Sequence, residues 1–388
     1  MEINRYRLPG LENRYIRQPL NKGYLVILQT GRNPPSFFEE SLAETRELAN
    51  SCAIREAGFL TAKIPHPSPS HFLREGKLNE VRELSKTAGA NVLIFNVDLS
   101  PTQASHIETF MGIPVLDRTG LILHIFGRRA RSKEGKLQVE LAQLHYALPR
   151  LAGLGGVMSR LGGGIGGRGP GEQELERDRR KIRLRIQRVK GELEKVRTHR
   201  LLIRSGRKKK NFVTAAIIGY TNAGKSTLLN ALTGAQTRVE DKMFVTLDPL
   251  ARMESVQKGR KILFVDTVGF LKNLPHALIE SFHATLEEVT EADLLIHVLD
   301  VFDPKASELK SAVEKVLKDI QAADKPLILA LNKADLLNEN EKKQMGSRWP
   351  EGLWISAKEG LGLHGLMAQI NKGMESESPA ANEPSLES

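Results

Sequence analysis

The stretch VTAAIIGYTNAGKSTLLNAL, Val213–Leu232, decides the fold of the second half of the chain. An apolar run leads into the spacing Gly219-x-x-x-x-Gly224-Lys225-Ser226, and an amphipathic helix pattern follows. Strand, glycine-containing turn and helix in this order predict a phosphate-binding loop, because backbone N–H groups and a helix N-terminus supply a fixed positive potential. The expected phosphate contacts are Gly219, Tyr220, Thr221, Asn222, Ala223, Gly224, Lys225, Ser226 and Thr227.

Two side chains of this loop are expected to carry chemistry. Lys225 would reach the β- and γ-phosphates of a nucleoside triphosphate, and the Ser226 hydroxyl would ligate Mg²⁺. A second apolar run, KILFVD, then ends in Asp266, 41 residues after Lys225, and Gly269 follows. Asp266 would hold the Mg²⁺ shell, usually through water, and the Gly269 N–H would contact the γ-phosphate.

A third and a fourth segment predict the base-binding side of the site. LILALNKADLL places Asn332, Lys333 and Asp335 after a strand pattern, and LWISAK ends in Ser356-Ala357-Lys358. An ionised carboxylate only accepts hydrogen bonds, so Asp335 selects guanine, which offers an N–H and an amino group on one edge. Asn332 would tie this loop to the phosphate loop, the Lys333 stem would lie along the base, and the Ala357 N–H would contact guanine O6.

These four segments, each after a predicted strand, indicate a P-loop GTPase domain over residues 211–373, with a doubly wound sheet. A threonine of its first switch is expected to sense the γ-phosphate. Thr246 in EDKMFVTLDPLAR is preferred, and Thr237 is the alternative. The predicted metal ligands are Ser226, Thr246 and Asp266, and the predicted catalytic residues are Lys225, Thr246 and Gly269. The implied ligands are Mg²⁺, GTP as substrate and GDP as product.

Residues 1–130 predict a separate α/β domain. YLVILQT (Tyr24–Thr30) and NVLIFNV (Asn91–Val97) read as buried strands, and helical spacings alternate with them. Ser100-Pro101 is typical of a helix start. Alternating strands and helices predict a mostly parallel sheet, to which the sequence assigns no chemistry. Cys52 is the only cysteine, so an intramolecular disulfide is excluded and a buried thiol is expected.

Residues 131–210 predict an antiparallel helical hairpin. Leucines 137, 141, 144, 148 and 151 repeat the spacing 4, 3, 4, 3, and Ile182, Ile186, Val189, Leu193 and Val196 repeat it again. The glycine-rich loop 152–171 between them would be the tip of the hairpin, although a plain flexible linker is the alternative. Residues 374–388 are acidic and lack periodicity, so a disordered tail is expected.

The positive charge of the chain is local. Residues 128–210 contain 24 lysines and arginines against 8 aspartates and glutamates, a balance of +16, whereas the total is +11 and the remaining chain is therefore at −5. A uniformly basic surface is thus excluded, and a polyanionic partner of the hairpin is indicated. A solvated helix face is the alternative.

Over nearly its whole length, the chain resembles the HflX family of ribosome-associated GTPases. The resemblance lies in DRTGLILHIFGRRARSKEGKLQVELAQLHYALPRL and GGIGGRGPGEQELERDRRKIRLRI, and in the order of the three regions. It implies binding to the large ribosomal subunit and its RNA, and dissociation or rescue of stalled or idle ribosomes. The glycine-rich tip would insert near the peptidyl-transferase region. Gly167 and the stretch Glu172–Arg180 depart from the family pattern, and the function of a further small domain that many members carry after the GTPase domain is expected to be missing.

The predicted protein is a cytoplasmic, monomeric, Mg²⁺-dependent GTPase with a low intrinsic rate that the ribosome stimulates. No apolar run approaches the roughly 20 residues of a membrane span, and the basic N-terminus lacks the apolar core of a signal peptide. An RNA-binding or ribosome-assembly GTPase without splitting activity fits the charge pattern equally well. A signalling switch that controls a protein partner is a second alternative, and it predicts binding that is insensitive to salt and to ribonuclease.

Overall fold

The computed structural model describes residues 20–31, 36–153, 170–208, 212–235, 248, 250–255, 261–267, 269–270 and 283–376. The described residues up to Val196 form one compact unit, and those from Arg197 onward form a second. No helix in these described parts is long and apolar enough to cross a membrane.

The first unit contains a parallel four-stranded sheet, as its alternating pattern predicts. The strand order is β2-β1-β3-β4, and every neighbouring pair is parallel. Residues Tyr24–Gln29 and all of β3 are buried, because helices cover both faces of such a sheet. The strands are β1 Lys22–Gln29, β2 Arg55–Lys63, β3 Val92–Phe95 and β4 Val115–Leu116.

Four helices accompany this sheet, and one of them is not predicted. The predicted start at Ser100 is confirmed: the Ser100 hydroxyl accepts from the Gln103 N–H, and the Gln103 side chain accepts from the Ser100 N–H. The unpredicted helix runs from Arg118, with the Asp117 side chain as its N-cap. Its run LILHIF is buried on nearly every side, so it lacks the one-sided pattern of a surface helix. The helices are α1 Phe37–Ser51, α2 Glu75–Thr87, α3 Pro101–Met111 and α4 Arg118–Arg129.

The two leucine-type stripes meet, which confirms the helical hairpin. Helix α5 spans Lys133–Gly153 and helix α6 spans Pro170–Lys208. Leu137, Leu141, Leu144 and Leu151 of α5 share one buried cluster with Ile182 and Val189 of α6, and Leu148, Ile186 and Leu193 pack against it. The loop between the helices, residues 154–169, lies outside the described residues.

The second unit contains a six-stranded sheet in the order β10-β9-β8-β5-β7-β6. Only the β6–β7 pair is antiparallel. The strands are β5 Val213–Gly219, β6 Leu250–Ser255, β7 Lys261–Asp266, β8 Leu294–Asp300, β9 Leu327–Asn332 and β10 Leu353–Trp354. The helices are α7 Lys225–Thr233, α8 His283–Thr290, α9 Ala306–Asp319, α10 Glu339–Gly346 and α11 Leu363–Ser376. Helix α11 thus extends three residues into the segment predicted as a disordered tail, and the rest of that segment lies outside the described residues.

Candidate nucleotide-binding site

The predicted site residues of the second unit follow the carboxyl ends of its parallel strands. Strand β5 ends at Gly219, the first residue of the phosphate loop, and β9 ends directly before Lys333. Strand β10 ends two residues before Ser356, and β7 ends at Asp266, three residues before Gly269. In a parallel sheet these ends lie at one edge, where open α/β sheets bind their ligands. Thr246 and its alternative Thr237 lie outside the described residues.

Two glycines shape the phosphate loop. Gly219 has φ +150°, and an added Cβ would lie 2.3 Å from the Val298 carbonyl oxygen of β8. Gly224 has φ +95°, and its Cβ would lie 2.3 Å from Asn332 Nδ2. A side chain at either position therefore meets both a strained backbone and an occupied space. The β8 backbone thus requires the glycine at position 219, and the Asn332 side chain requires the glycine at position 224.

Lys225 is buried inside the loop. Its Nζ donates a hydrogen bond to the Tyr220 carbonyl oxygen at 2.7 Å. Burial lowers the pKa of Lys225 to about 8, and the neighbouring Asp266 carboxylate opposes this shift. A cation held in poor solvation is ready to exchange a carbonyl partner for phosphate oxygens.

Ser226 and Asp266 meet at the start of α7. The Ser226 hydroxyl donates to Asp266 Oδ2 at 2.6 Å, and the Asp266 side chain is fully buried. Hydroxyl and carboxylate oxygens are ligands that Mg²⁺ prefers. Because two separate elements bring these oxygens together at the head of the phosphate loop, the donor set fits a magnesium ion.

Gly269 and Phe270 lie against the phosphate loop. The Phe270 N–H donates to the Gly219 carbonyl at 3.1 Å, and the Thr221 N–H donates to the Phe270 carbonyl at 3.0 Å. A Cβ on Gly269 would lie 2.9 Å from Lys225 Nζ. The Phe270 ring is buried in a core cluster with residues such as Val289 and Leu295. The segment that begins at Gly269 is the second switch of the GTPase domain. Two backbone hydrogen bonds hold its first residues against the phosphate loop.

Asn332 connects the base loops to the phosphate loop. Its Nδ2 donates to the Ala223 carbonyl at 2.7 Å, so the expected tie is present. Its Oδ1 accepts from the Ala357 N–H at 2.9 Å. The amide expected to face guanine O6 therefore already has a partner, which sequence spacing does not reveal.

Lys333 and Asp335 lie just after Asn332. Lys333 has φ +63° and forms an ion pair with Asp300 Oδ2 at 2.6 Å. Asp335 lies in a 3₁₀ turn, Ala334–Leu336, and is exposed, so its carboxylate is accessible to a ligand. Sequence analysis missed Asp300, although its position at the end of an apolar strand, like that of Asp266, was an available signal.

The fourth segment is a tight turn after β10. The buried Ser356 hydroxyl accepts from the Glu359 N–H at 3.1 Å, whereas the Lys358 side chain is 82% exposed. Gly362 has φ +72°, and a Cβ there would lie 2.1 Å from the Trp354 carbonyl oxygen. This second unpredicted residue is thus needed to close the turn.

Comparisons with known proteins agree with this geometry. Family models described as GTP-binding GTPase N-terminal, GTP-binding GTPase Middle Region and 50S ribosome-binding GTPase match residues 39–127, 129–207 and 214–333. The GTPase HflX of Caldanaerobacter subterraneus is 51% identical over 334 residues, 86% of this chain and 77% of that protein. The GTPase HflX of Escherichia coli K12 is 41% identical over 340 residues, 87% of this chain and 80% of that protein.

A solved structure of a GTP-binding protein from Sulfolobus solfataricus, in complex with GDP, is 25% identical and covers 92% of this chain and 100% of that one, with a TM-score of 0.47. The family assignment depends instead on the curated relatives and the three family models. The resemblance seen in the hairpin sequence is thereby confirmed: the chain belongs to the HflX family of GTPases.

Proposed function

We propose that this GTPase binds the large ribosomal subunit through its hairpin and promotes the dissociation of stalled or idle ribosomes in the cytoplasm. The observation that carries the proposal is the +16 balance of residues 128–210 on a hairpin whose helix α6, over its described side chains 176–200, buries only one narrow stripe. Positive charge on an exposed helix is what a ribosomal RNA backbone would bind. The family model over residues 214–333, described as a 50S ribosome-binding GTPase, supports the same partner.

The residues of the nucleotide site have separate proposed roles. Backbone N–H groups of residues 219–227 and the Lys225 ammonium hold the phosphates, and Asp335 recognises guanine. Ser226, Asp266 and Thr246 would hold a magnesium ion, which would supply positive charge against the phosphates. The Ala357 N–H would be shared between Asn332 and guanine O6.

The two backbone hydrogen bonds between Phe270 and the phosphate loop suggest how GTP binding would change the conformation of the second switch. They hold Gly269 over Lys225, where the γ-phosphate is expected. GTP binding would turn Lys225 from the Tyr220 carbonyl to the phosphates and reorganise Gly269. We propose that this reorganised state favours binding to the ribosome, and that hydrolysis releases the protein.

The intrinsic hydrolysis rate is expected to be slow. Many GTPases carry a glutamine at the position of Phe270 to orient the attacking water, whereas a buried phenylalanine has no group that does so. A group supplied by a partner is worth roughly 10³–10⁵ in rate. Single-turnover hydrolysis, measured with and without purified large subunits, tests this expectation. Turnover at about 1 s⁻¹ or faster by the protein alone would contradict it, since the rate scale of unassisted GTPases is far lower.

The Asp335→Asn variant is expected to change base preference. An asparagine amide donates to the O2 of xanthine but no longer accepts both guanine donors, so GTP affinity should fall about 100-fold while that for xanthosine triphosphate rises. Parallel titrations with the two nucleotides measure the change in base preference, and Lys315→Gln, an exposed position of α9, serves as the control. An unchanged preference for GTP would move the base site elsewhere.

Sedimentation tests the proposed function as a whole. Intact ribosomes are incubated with the protein and a non-hydrolysable GTP analogue, and the subunit peaks are compared with those in GDP. Conversion to free subunits is expected in the GTP state. Binding to large subunits without conversion would favour the RNA-binding or ribosome-assembly function, which the localised charge fits equally well. Absence of any ribosome binding, together with binding that resists salt and ribonuclease, would favour a signalling switch.

A further inference from the structure

The side of α6 that faces away from α5 is a band of positive charge. A helix turns about 100° per residue, and the stripe of Ile182, Ile186 and Val189 marks the side packed on α5. The positions within roughly 60° of the opposite direction, from 177 to 195, include four basic residues and no acidic one. These four, which we name the outward band, are Arg177, Arg180, Arg188 and Lys195, and all are exposed.

Most basic residues on the flanks of α6 are already paired. Arg185 forms a two-pronged ion pair with Glu140 of α5, at 2.6 and 2.8 Å. Arg179 and Arg183 both pair with Glu176, at 3.7 and 3.4 Å. Lys181, also on a flank, pairs with Asp178 at 3.1 Å. The four band residues form no ion pair with another described residue, and Lys190 is the one flank cation between 177 and 195 of which the same holds, so most of the uncompensated positive charge of this part of the helix lies in the band.

Gly191 lies in the middle of this band, and no contact with another described residue explains it. A glycine in a helix interior costs about 1 kcal/mol relative to alanine. Gly191 lies well inside α6, and its φ is not among the positive values. An added Cβ would meet no atom within 4 Å. The backbone at this position is thus left bare towards the outside at a cost to helix stability.

We infer that the outward band lies flush on the phosphate backbone of RNA, with Gly191 at the point of closest approach. This inference depends on the proposed ribosome binding and assigns it to one face of one helix. Charge complementarity favours a polyanion, because the charged side chains on this side of the helix are all cations and most of the flanking cations are paired. A missing side chain lets another backbone approach the helix more closely than any other residue allows.

Two lysines on the same helix make a matched test of the band. Lys195 lies in it, whereas Lys190 lies about 120° away from its centre; both are exposed, and neither forms an ion pair with another described residue. Lys195→Gln is expected to weaken RNA binding severalfold and to reduce the slope of log affinity against log salt by about one. Lys190→Gln should change neither quantity appreciably. Equal effects of the two substitutions would overturn the assignment of the face.

Substitutions at Gly191 test the close approach. Gly191→Ala should raise the thermal midpoint of unfolding by about 2–4 °C, because helix propensity improves and no atom is in the way. The same substitution should weaken RNA binding, and Gly191→Leu should weaken it further. Gln187→Leu, one turn earlier on the edge of the band, controls for added apolar bulk. A Gly191→Leu protein that binds as the wild type does would overturn the close approach.

Each variant is titrated against purified large subunits and against protein-free RNA from those subunits. Binding of the wild type to both, without dependence on Lys195 and Gly191, sinks this inference and leaves the proposed function standing. Dependence on both residues with the RNA, but no binding to the subunits, supports the face and sinks the proposed function. Binding to neither probe sinks both.

Discussion

Replacement of Lys225 by methionine is expected to abolish tight GTP binding and, at the same time, to stabilise the nucleotide-free protein. Loss of a charge-assisted contact to phosphates should weaken GTP binding about 100-fold. The stabilisation follows from burial of the ammonium group, which the folded protein tolerates only with a pKa lowered to about 8. The loop is therefore strained electrostatically until a phosphate arrives.

The sign of the stability effect follows from linkage. The pKa of Lys225 is lower in the folded protein than in the unfolded chain. At pH 7 the lysine is protonated in both states, so burial of its charge lowers the free energy of unfolding. That penalty is on the order of 3 kcal/mol, from the shift between 10.5 and about 8. Loss of the hydrogen bond to the Tyr220 carbonyl offsets part of the gain, and a net stabilisation of about 1–2 kcal/mol remains.

The stabilisation by the Lys225→Met substitution is expected only over a certain pH range. It is fully present below about pH 8, and it shrinks as the pH rises from the folded pKa towards the unfolded value of 10.5, because the native lysine then becomes neutral. Thermal unfolding of nucleotide-free and Mg²⁺-free protein at several pH values measures it, with Lys315→Met, an exposed lysine of α9, as the control. A methionine variant that is less stable than the wild type at pH 7 would show that Lys225 stabilises the empty loop.

The fold was predictable where spacing along the chain determines it. The phosphate loop needs Gly219 and Gly224 at a fixed separation, and both were found because covalent distance alone positions them. Helix α4 was missed because its burial on nearly all sides removes the periodic pattern by which surface helices are recognised. A helix that is buried on one side is therefore easily recognised from its sequence, whereas a helix that is buried on all sides is not.

Contacts between segments that are distant in the sequence could not be predicted, and they limit how much of the site the sequence reveals. That Phe270 lies against Gly219, and that the Ala357 N–H is occupied by Asn332, depends on how loops 25 to 51 residues apart are folded together. The same limit applies to charge. The sequence identifies Arg185 as one of many arginines on the hairpin, but only the structure shows that it is paired with Glu140, 45 residues away. The locality of the basic charge was predictable, and its division into paired and exposed groups was not.

Shortening the loop between the two helices of the hairpin is expected to abolish ribosome dissociation and to leave GTP binding intact. The hairpin itself does not need this loop for its packing, because the shared cluster runs from Leu137 to Leu151 and from Ile182 to Val189. Sixteen residues, 154–169, connect the helices, far more than the two to eight that suffice for most helical hairpins. A plain linker has no need of that length.

The geometry of the helices sets the shortest usable replacement. Helix α6 begins at Pro170, 12 residues before Ile182, its first residue in the shared cluster, so about 18 Å of helix must be bridged by the returning chain. At about 3.3 Å per residue, eight Gly-Ser residues bridge this distance without strain. A sixteen-residue Gly-Ser replacement is the matched variant, since it keeps the length and removes only the side chains.

Sedimentation of ribosomes with the wild type and both variants then separates three roles of the loop. If the loop competes for space inside the large subunit, the eight-residue variant should lose dissociation while retaining most of the salt-dependent affinity, because the loop carries only Arg160 and Arg168 as charges. The sixteen-residue variant should retain part of the dissociation activity if the loop acts only by filling space in the large subunit. It should retain none if the apolar side chains of the loop must contact the subunit. Titration with GTP should give the same affinity for all three proteins, since the replaced residues, 154–169, lie outside the phosphate-loop sequence, 219–227. Full dissociation by the eight-residue variant would reduce the glycine-rich loop to a linker, and the hairpin would then act through its charged faces alone.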